Sequence, residues 1–171
     1  EAPLLVQGNV LADNSAGVHG GAIYASRSDV ELYDNDILGN HVTAVGQGWG
    51  GGVHLSQCAA AVVRGNLFDG NSAATGGGLR LAEGAAEVQA NRFMANSATS
   101  GGGIAIQGPA TPTLDNNVLL GNAATAEGAG ALVRDAAPLW RHTTFAANTG
   151  GDGAAVTVLG NSQPTLLNTL V

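Results

Sequence analysis

The sequence predicts an all-β fold: a right-handed parallel β-helix, or solenoid, of about six to seven coils of 25–26 residues each. Three observations predict it. A motif of the form Asn-x-apolar-x-x-Asn recurs at a nearly constant step along the chain. Each repeat holds short segments in which apolar residues alternate with polar ones, the period of a strand. No segment shows the 3.6-residue period of an amphipathic helix.

The motif sets the length of each coil. Its starts are separated by 26, 31, 25, 26, 26 and 26 residues, and the long step contains an insertion at residues 42–49. Three prolines spaced 26 residues apart support the same register. The motif starts and the prolines are Asn9, Asn35, Asn66, Asn91, Asn117, Thr143 (in place of Asn), Thr169 (an incomplete copy), and Pro112, Pro138 and Pro164. We therefore expect one β-helix domain over residues 1–171, which is a segment of a longer chain.

Within each repeat the elements follow one order. A short alternating strand precedes the first Asn, an apolar triplet lies between the two Asn residues, and a turn of small residues leads to glycines and another alternating strand. This order predicts three short strands in each coil. Parallel pairing between coils would stack equivalent residues in columns about 4.8 Å apart. A right-handed path is expected because parallel crossovers are almost always right-handed.

Two columns are predicted to lie inside the coil. One holds large apolar residues, namely Leu11, Ile37, Phe68, Phe93, Leu119 and Phe145. The other is an asparagine ladder at a bend, formed by Asn14, Asn40, Asn71, Asn96, Asn122 and Asn148. A buried amide is costly unless its donors and acceptors are used, and stacked amides can bond one another and the turn backbone. Asn also tolerates the left-handed backbone angles that can occur at such bends.

The glycines after each ladder position predict a corner at which successive coils approach closely. Examples are Gly76–Gly78 and Gly101–Gly103. Glycine permits a positive φ and leaves room for a neighbouring backbone. No helix follows these glycines, so they do not indicate a phosphate-binding loop.

The composition excludes several classes of partner. The chain has 13 acidic residues, six arginines and no lysine, for a net charge of −7. Without a basic cluster it lacks the charge that nucleic acids and anionic membranes attract, so we expect neither partner. No apolar run is long enough to cross a bilayer, so we expect no direct membrane insertion. Cys58 is the single cysteine, which excludes an internal disulfide and indicates a small buried residue.

A family resemblance adds to this interpretation. "GGAI" at 20–23, with "FDGN" at 68–71, "FMAN" at 93–96 and "FAAN" at 145–148, resembles the paired GGA[I/L/V] and FxxN motifs of the polymorphic outer-membrane-protein repeats. The resemblance covers essentially the whole chain. It implies a passenger β-helix of a bacterial cell-surface or secreted protein, an extracellular location and an adhesive role.

One outward column carries the candidate binding residues. Tyr24, His54 and Arg80 are expected on three successive coils, and Trp49 is expected in the inserted loop just before His54. The column continues through Ala105, Leu132 or Val133, and Thr157. An aromatic beside a His and an Arg can bind carbohydrate by stacking and hydrogen bonding. The alternative is an ordinary solvated face with a Trp that anchors the loop.

No catalytic, metal or cofactor site is predicted. The acidic residues are scattered, whereas a glycosidase needs two facing carboxylates. The four histidines fall in different columns, so no zinc site is expected. A second outward column, comprising Gln7, Tyr33, Arg64, Gln89, Asp115 and Arg141, is expected to be a solvated face on which Asp115 stacks on Arg141.

These observations favour a non-catalytic β-helix module of a bacterial surface or secreted protein, acting as a stalk or adhesin scaffold. One alternative is a segment of a carbohydrate-active enzyme, resembling a polysaccharide lyase or hydrolase, with catalytic residues outside the segment or in the loop of Trp49. Another is a structural subunit that assembles end to end. Expected partners are glycans or other surface proteins, and further coils of the same protein at both ends, since bare solenoid ends are open sheet edges.

Overall fold

The computed structural model describes residues 3–171, which form 24 short strands, β1–β24 in chain order. The strands build four parallel sheets that run along the axis of one solenoid, and each strand pairs with its equivalents in the adjacent coils. The all-β right-handed β-helix prediction is therefore confirmed, with about six coils.

Sheets 1 and 2 lie on either side of the first Asn of each motif. Sheet 1 comprises β1 (Leu4–Gln7), β5 (Val30–Tyr33), β9 (Val62–Arg64), β13 (Glu87–Gln89), β17 (Thr113–Asp115), β21 (Leu139–Arg141) and β24 (Thr165–Leu167). Sheet 2 comprises β2 (Val10–Ala12), β6 (Asp36–Leu38), β10 (Leu67–Asp69), β14 (Arg92–Met94), β18 (Val118–Leu120) and β22 (Thr144–Ala146).

Sheets 3 and 4 follow the second Asn of each motif and lie on either side of the glycine corner. Sheet 3 comprises β3 (Ser15–Ala16), β7 (His41–Val42), β11 (Ser72–Thr75), β15 (Ser97–Ser100) and β19 (Ala123–Glu127). Sheet 4 comprises β4 (Ile23–Ser26), β8 (Val53–Cys58), β12 (Leu79–Gly84), β16 (Ile104–Ala110), β20 (Ala131–Arg134) and β23 (Val156–Leu159).

The expectation of three strands per coil is wrong, because sheet 3 forms where the sequence indicated only a turn. Its strands consist of small residues such as "SAAT" in β11 and "SATS" in β15. Such segments have little intrinsic strand preference. They become strands because the flanking sheets hold them at the spacing of the backbone ladder.

The apolar column inside the coil is confirmed. Phe68 pairs in register with Ile37 on one side and with Phe93 on the other, and the two phenylalanine rings stack at 4.6 Å between centroids. The column continues through Leu119 to Phe145. These side chains, with those pointing inward from sheets 1 and 4, form one continuous apolar core.

Asparagine forms two ladders along the axis. The predicted ladder from Asn14 to Asn148 is confirmed, and the first Asn of each motif forms a second one from Asn9 to Asn117. In the predicted ladder, Oδ1 of Asn71 accepts both the backbone N–H of Asn40 (2.9 Å) and its Nδ2 (3.0 Å). Nδ2 of Asn71 donates to the carbonyl oxygen of Ile37 (2.8 Å). Every coil is thereby bonded to its neighbours through side chain and main chain.

The left-handed residue at each ladder bend is the one before the Asn, so the tolerance of Asn for left-handed angles is not used in the ladder. Before the second Asn of the motif, this residue is Gly39, Gly70 or Gly121 in three coils. In other coils it is Ala95, with φ of 50°, or Ala147, with φ of 51°. The Asn itself keeps ordinary angles because its backbone N–H must point along the axis to the next amide.

The glycine corner joins sheets 3 and 4 with no room for side chains. Gly76 has a φ of 69°, and a Cβ on Gly77 would overlap the carbonyl oxygens of Ser97 and Gly102. The predicted close approach of coils is therefore confirmed. The corner folds the end of sheet 3 toward the outward face of sheet 4, which positions the site described next.

Candidate functional site

Two columns of side chains face each other across the glycine corner. The corner column lies just before the glycines and comprises His19, Trp49, Thr75, Ser100, Glu127 and Asp152. The outward column of sheet 4 comprises Tyr24, His54, Arg80, Ala105, Leu132 and Thr157. Each residue of the second column follows its counterpart by five positions. The predicted alignment of the outward column is confirmed, with Leu132 rather than Val133 as its fifth member.

Five side chains of these columns form a cluster on the first three coils, which we call the aromatic–arginine cluster: His19, Tyr24, Trp49, His54 and Arg80. The rings of His19 and Tyr24 stack at 4.6 Å between centroids. The Trp49 ring lies 4.8 Å from the His19 ring between centroids, and it forms a T-shaped pair with the His54 ring at 5.9 Å between centroids. The guanidinium carbon of Arg80 sits 4.7 Å above the Trp49 ring, a cation–π contact.

Trp49 belongs to the regular column, so its predicted place within the inserted loop is wrong. It pairs by backbone bridges with His19 in the previous coil and Thr75 in the next. The additional residues of this coil form a turn before it, around residues 45–47. Sequence spacing alone could not separate the loop from the residue at which the register resumes.

Hydrogen bonds fix the protonation pattern of the two histidines. Nη1 of Arg80 lies 2.6 Å from Nε2 of His54, which must accept because arginine only donates. Nδ1 of the neutral His54 ring therefore carries the proton and donates to Nδ1 of His19 at 3.2 Å. Burial, followed by the charge of Arg80 and the neighbouring His19, lowers the pKa of His54 to about 3. His54 is therefore neutral at physiological pH.

Burial differs sharply within the cluster. His54 is only 2% exposed, whereas Tyr24 is 47% exposed and the other three side chains are half-buried. Ala105 and Leu132 of the same column are fully buried. The column therefore is not the uniformly solvated face that the alternative interpretation described. The glycine corner covers it, as shown by the backbone of Gly101 packing against Ala105.

Arg80 is a partly desolvated cation. Burial lowers its pKa to about 10, against opposing contributions from Glu83 and Tyr24. Its Nε donates to Oε1 of Gln107 at 3.1 Å. Within residues 3–171 its guanidinium forms no ion pair, in contrast to Arg134, which pairs with Glu127 at 2.8 Å.

Sequence reasoning missed His19. The repeat spacing correctly places His19 in a different column from His54, but the two columns are neighbours in space. The signal that could have found it is the constant five-residue offset between the columns, which pairs His19 with Tyr24 and Trp49 with His54.

The outward face of sheet 1 carries a separate polar cleft lined by Glu87, Gln89, Thr113, Asp115 and Arg141. The predicted stacking of Asp115 on Arg141 is confirmed, with 3.4 Å between Oδ2 and Nη2. Oδ1 of Asp115 also lies 3.1 Å from Nδ1 of His142. These exposed pairs contribute little to stability.

Outside these two sites, the chain holds one cysteine. Cys58 is buried, and burial raises the pKa of its thiol. Across residues 3–171, no group of three or more His, Cys, Asp or Glu side chains is arranged to hold a metal ion. The same residues contain no helix with the length and apolar character needed to cross a membrane.

One comparison with known protein families agrees with this geometry. A family model described as a right-handed β-helix region matches residues 4–171. A search of curated proteins and a search of solved structures each gave no match to the chain.

Proposed function

The chain belongs to the right-handed β-helix family, and on that premise we propose that it is a non-catalytic module of a bacterial cell-surface or secreted protein. In this role it acts as a stiff stalk that also carries an adhesive site. The GGAI and FxxN motifs, which resemble polymorphic outer-membrane-protein repeats, support the extracellular setting. The phenylalanines of these motifs, such as Phe68 and Phe93, are also buried in the core.

The pair of asparagine ladders is the observation that carries the scaffold role. Each buried amide bonds the side chain and backbone of the next coil, so a coil cannot tilt without breaking several hydrogen bonds. The interior between the ladders is filled with apolar side chains. A filled interior leaves the outer surface as the place for recognition.

The aromatic–arginine cluster supports the adhesive role. Tyr24 presents an exposed ring, Trp49 and Arg80 form a stacked pair, and His54 holds Arg80 in place. Aromatic faces beside hydrogen-bond donors suit the mixed apolar and polar surface of a sugar. We therefore assign carbohydrate binding to Tyr24, Trp49, His54 and Arg80 within this proposal.

A glycan-binding screen tests the adhesive role. We expect the wild-type protein to bind a subset of immobilised glycans, and Trp49→Ala and Tyr24→Ala to lose that binding. Arg92→Ala, which changes an exposed arginine in sheet 2, is the matched control. Equal binding by the wild type and both cluster variants would contradict the assignment.

Incubation with the bound polysaccharides separates adhesion from catalysis. We expect the glycans to be recovered intact. Cleavage that depends on an acidic residue of this chain would instead support the carbohydrate-active alternative, since lyases and glycosidases rely on carboxylates.

End-to-end assembly is the second candidate function, favoured by apolar side chains on both terminal coils. Leu4, Leu5 and Val10 are exposed at one end, and Leu167 and Leu170 at the other. Further coils of the same protein, or a second copy, would cover them. Sedimentation over a hundredfold concentration range (about 1–100 µM) tests this, because mass action favours association at high concentration. An increase of the sedimenting mass with concentration that Leu167→Lys abolishes would support assembly. A mass that stays constant with concentration would oppose it.

A further inference from the structure

We propose that the aromatic–arginine cluster binds a glycan through an isolated carboxylated sugar, with Arg80 pairing the carboxylate and Tyr24 stacking on the sugar ring. The inference rests on the proposed adhesive function and names the ligand class of that site. Three observations support it: Arg80 carries an unpaired charge, it keeps hydrogen-bond donors free, and the exposed ring of Tyr24 lies in the same cluster.

The charge of Arg80 has no counter-ion among the described residues. Glu83, the acidic side chain that acts on it electrostatically, instead accepts a hydrogen bond from Gln57 at 3.0 Å. A desolvated cation without an anion is unfavourable, and pairing it with a bound carboxylate removes that cost. Arg80 is thus the group in this cluster that gains most from an anionic ligand.

Arg80 also keeps enough donors for a carboxylate. A guanidinium has five N–H groups, and only two bonds are used, Nη1 to His54 and Nε to Gln107. Both N–H groups of Nη2 and one of Nη1 remain. Arginine–carboxylate contacts of this kind are short, directional and about twice as strong as neutral hydrogen bonds. His54 and Trp49 hold the guanidinium in one orientation, which lowers the entropy cost of binding.

The ring of Tyr24 supplies the second contact. It is stacked on His19, so its orientation is fixed before a ligand arrives, yet the residue is 47% exposed. A flat, preorganised aromatic face suits the C–H face of a sugar ring. Trp49 lies between the two contact groups, against both His19 and Arg80.

A metal ion is the competing occupant, because the Nδ1 atoms of His19 and His54 lie only 3.2 Å apart. To bind a metal there, His54 would need its proton on Nε2. That position accepts a hydrogen bond from Arg80 at 2.6 Å. The positive guanidinium would also repel a cation. The same contact that prevents metal binding leaves a site suited to an anion.

The net charge of the chain favours acidic glycans with few charges over densely charged ones. With a net charge of −7, the protein repels a densely charged polyanion. Glu127 lies on the corner column two coils from Thr75, in the direction that a long ligand would follow along the axis. These charges favour a single carboxylated sugar in an otherwise neutral glycan over a continuous chain of uronic acids.

The test uses a matched pair of probes, a neutral oligosaccharide ending in one glucuronic acid and the same compound with its carboxyl group reduced. Titration calorimetry would measure both against the wild type, Arg80→Gln and Arg80→Lys, with Arg92→Gln as the control. We expect the wild type to bind the acidic probe about tenfold more tightly than the reduced one, the gain typical of one charge-assisted contact. We expect Arg92→Gln to keep this ratio.

The variants assign the preference to Arg80. We expect Arg80→Gln to bind both probes equally and weakly, and Arg80→Lys to give an intermediate ratio because it keeps the charge but loses the planar fork. Unfolding curves would establish that each variant is folded. If Arg80→Gln does not fold, Arg80→Lys decides alone, and an unchanged ratio overturns the proposal.

Three other outcomes overturn the inference in distinguishable ways. Equal affinity of the wild type for both probes removes the carboxylate preference but leaves sugar binding intact. A preference that survives in Arg80→Gln places the carboxylate elsewhere on the protein. Absence of binding to either probe, together with a negative glycan screen, removes the adhesive function as well.

Discussion

The side-chain amides of Asn40 and Asn71 lie one above the other along the solenoid axis, with Nδ2 of Asn40 donating to Oδ1 of Asn71 over 3.0 Å. The same oxygen accepts the backbone N–H of Asn40 at 2.9 Å. One amide therefore satisfies two donors of the preceding coil, and its own Nδ2 bonds Ile37 and Asn96.

Asn71→Ala should lower the free energy of unfolding by about 3 kcal/mol or more, because it leaves buried donors of Asn40 and the carbonyl of Ile37 without partners. Urea denaturation followed by circular dichroism measures the change. Asn14→Ala is the control, since Asn14 only donates into the ladder, is exposed and should cost less than about 1 kcal/mol. Similar losses in the two variants would count against the ladder as the source of stability.

Thr143→Asn should raise the free energy of unfolding by about 1 kcal/mol. Thr143 is buried where the ladder from Asn9 to Asn117 would continue, but its hydroxyl donates to the carbonyl of Arg141. An amide there could accept from the backbone N–H and the Nδ2 of Asn117. The urea midpoint checks this, and Thr111→Asn, at an exposed position, should leave it nearly unchanged. A destabilised Thr143→Asn variant would mean that the site lacks room for the amide.

The left-handed position before the second Asn predicts two opposite effects. Ala95 has a φ of 50°, so Ala95→Gly should stabilise the protein by about 0.5–1 kcal/mol after the larger entropy of the unfolded glycine chain is subtracted. Gly70 has a φ of 65° and space for a Cβ, so Gly70→Ala should destabilise it by a similar amount. Thermal unfolding of the two variants measures both, and shifts of the same sign would contradict the explanation.

His54 makes stability depend on pH. The unfolded ring titrates near 6.5 and the folded one near 3, so below pH 6.5 the unfolded state binds a proton that the folded state does not. Its contribution to stability is therefore complete above pH 6.5 and falls by about 1.4 kcal/mol per pH unit toward pH 3. Between pH 7 and pH 5 the wild type should lose about 2 kcal/mol more than His54→Gln.

Denaturation curves at pH 5, 6 and 7 check this, and the window avoids most carboxylate titration. His41→Gln serves as a second control, because His41 is an exposed histidine in sheet 3, outside the aromatic–arginine cluster. Parallel stability curves for the wild type and His54→Gln would show that the buried ring is not the group responsible.

The columns could be predicted from the sequence because a backbone ladder converts a 25- or 26-residue step into vertical stacking. Phe68 above Ile37 and Asp115 beside Arg141 follow from the step alone. The position of Leu132 followed only from the structure, since two residues fitted the pattern. Any feature that depends only on each coil repeating the one before it can be predicted from the sequence in this way.

Features that depend on the path around a single coil could not be predicted. Sheet 3 consists of small residues whose strand geometry comes from neighbouring sheets. The burial of His54 results from the glycine corner folding over its face, and the same corner brings His19 beside it. The repeat spacing gives the height of a residue along the axis, but it does not show which other column that residue contacts across a bend.

The longer second coil shows how this architecture accepts variation. Its five additional residues leave His41 paired with Ser15 and Ser72, and Trp49 paired with His19 and Thr75, while Val45 projects almost wholly into solvent. Additional residues at this bend can thus extend outward from the coil without changing how the coils stack along the axis. Foreign peptides inserted between Thr43 and Gly48 would be displayed on the side of the solenoid. Evolution could vary the length and sequence of such loops while the other coils kept their register.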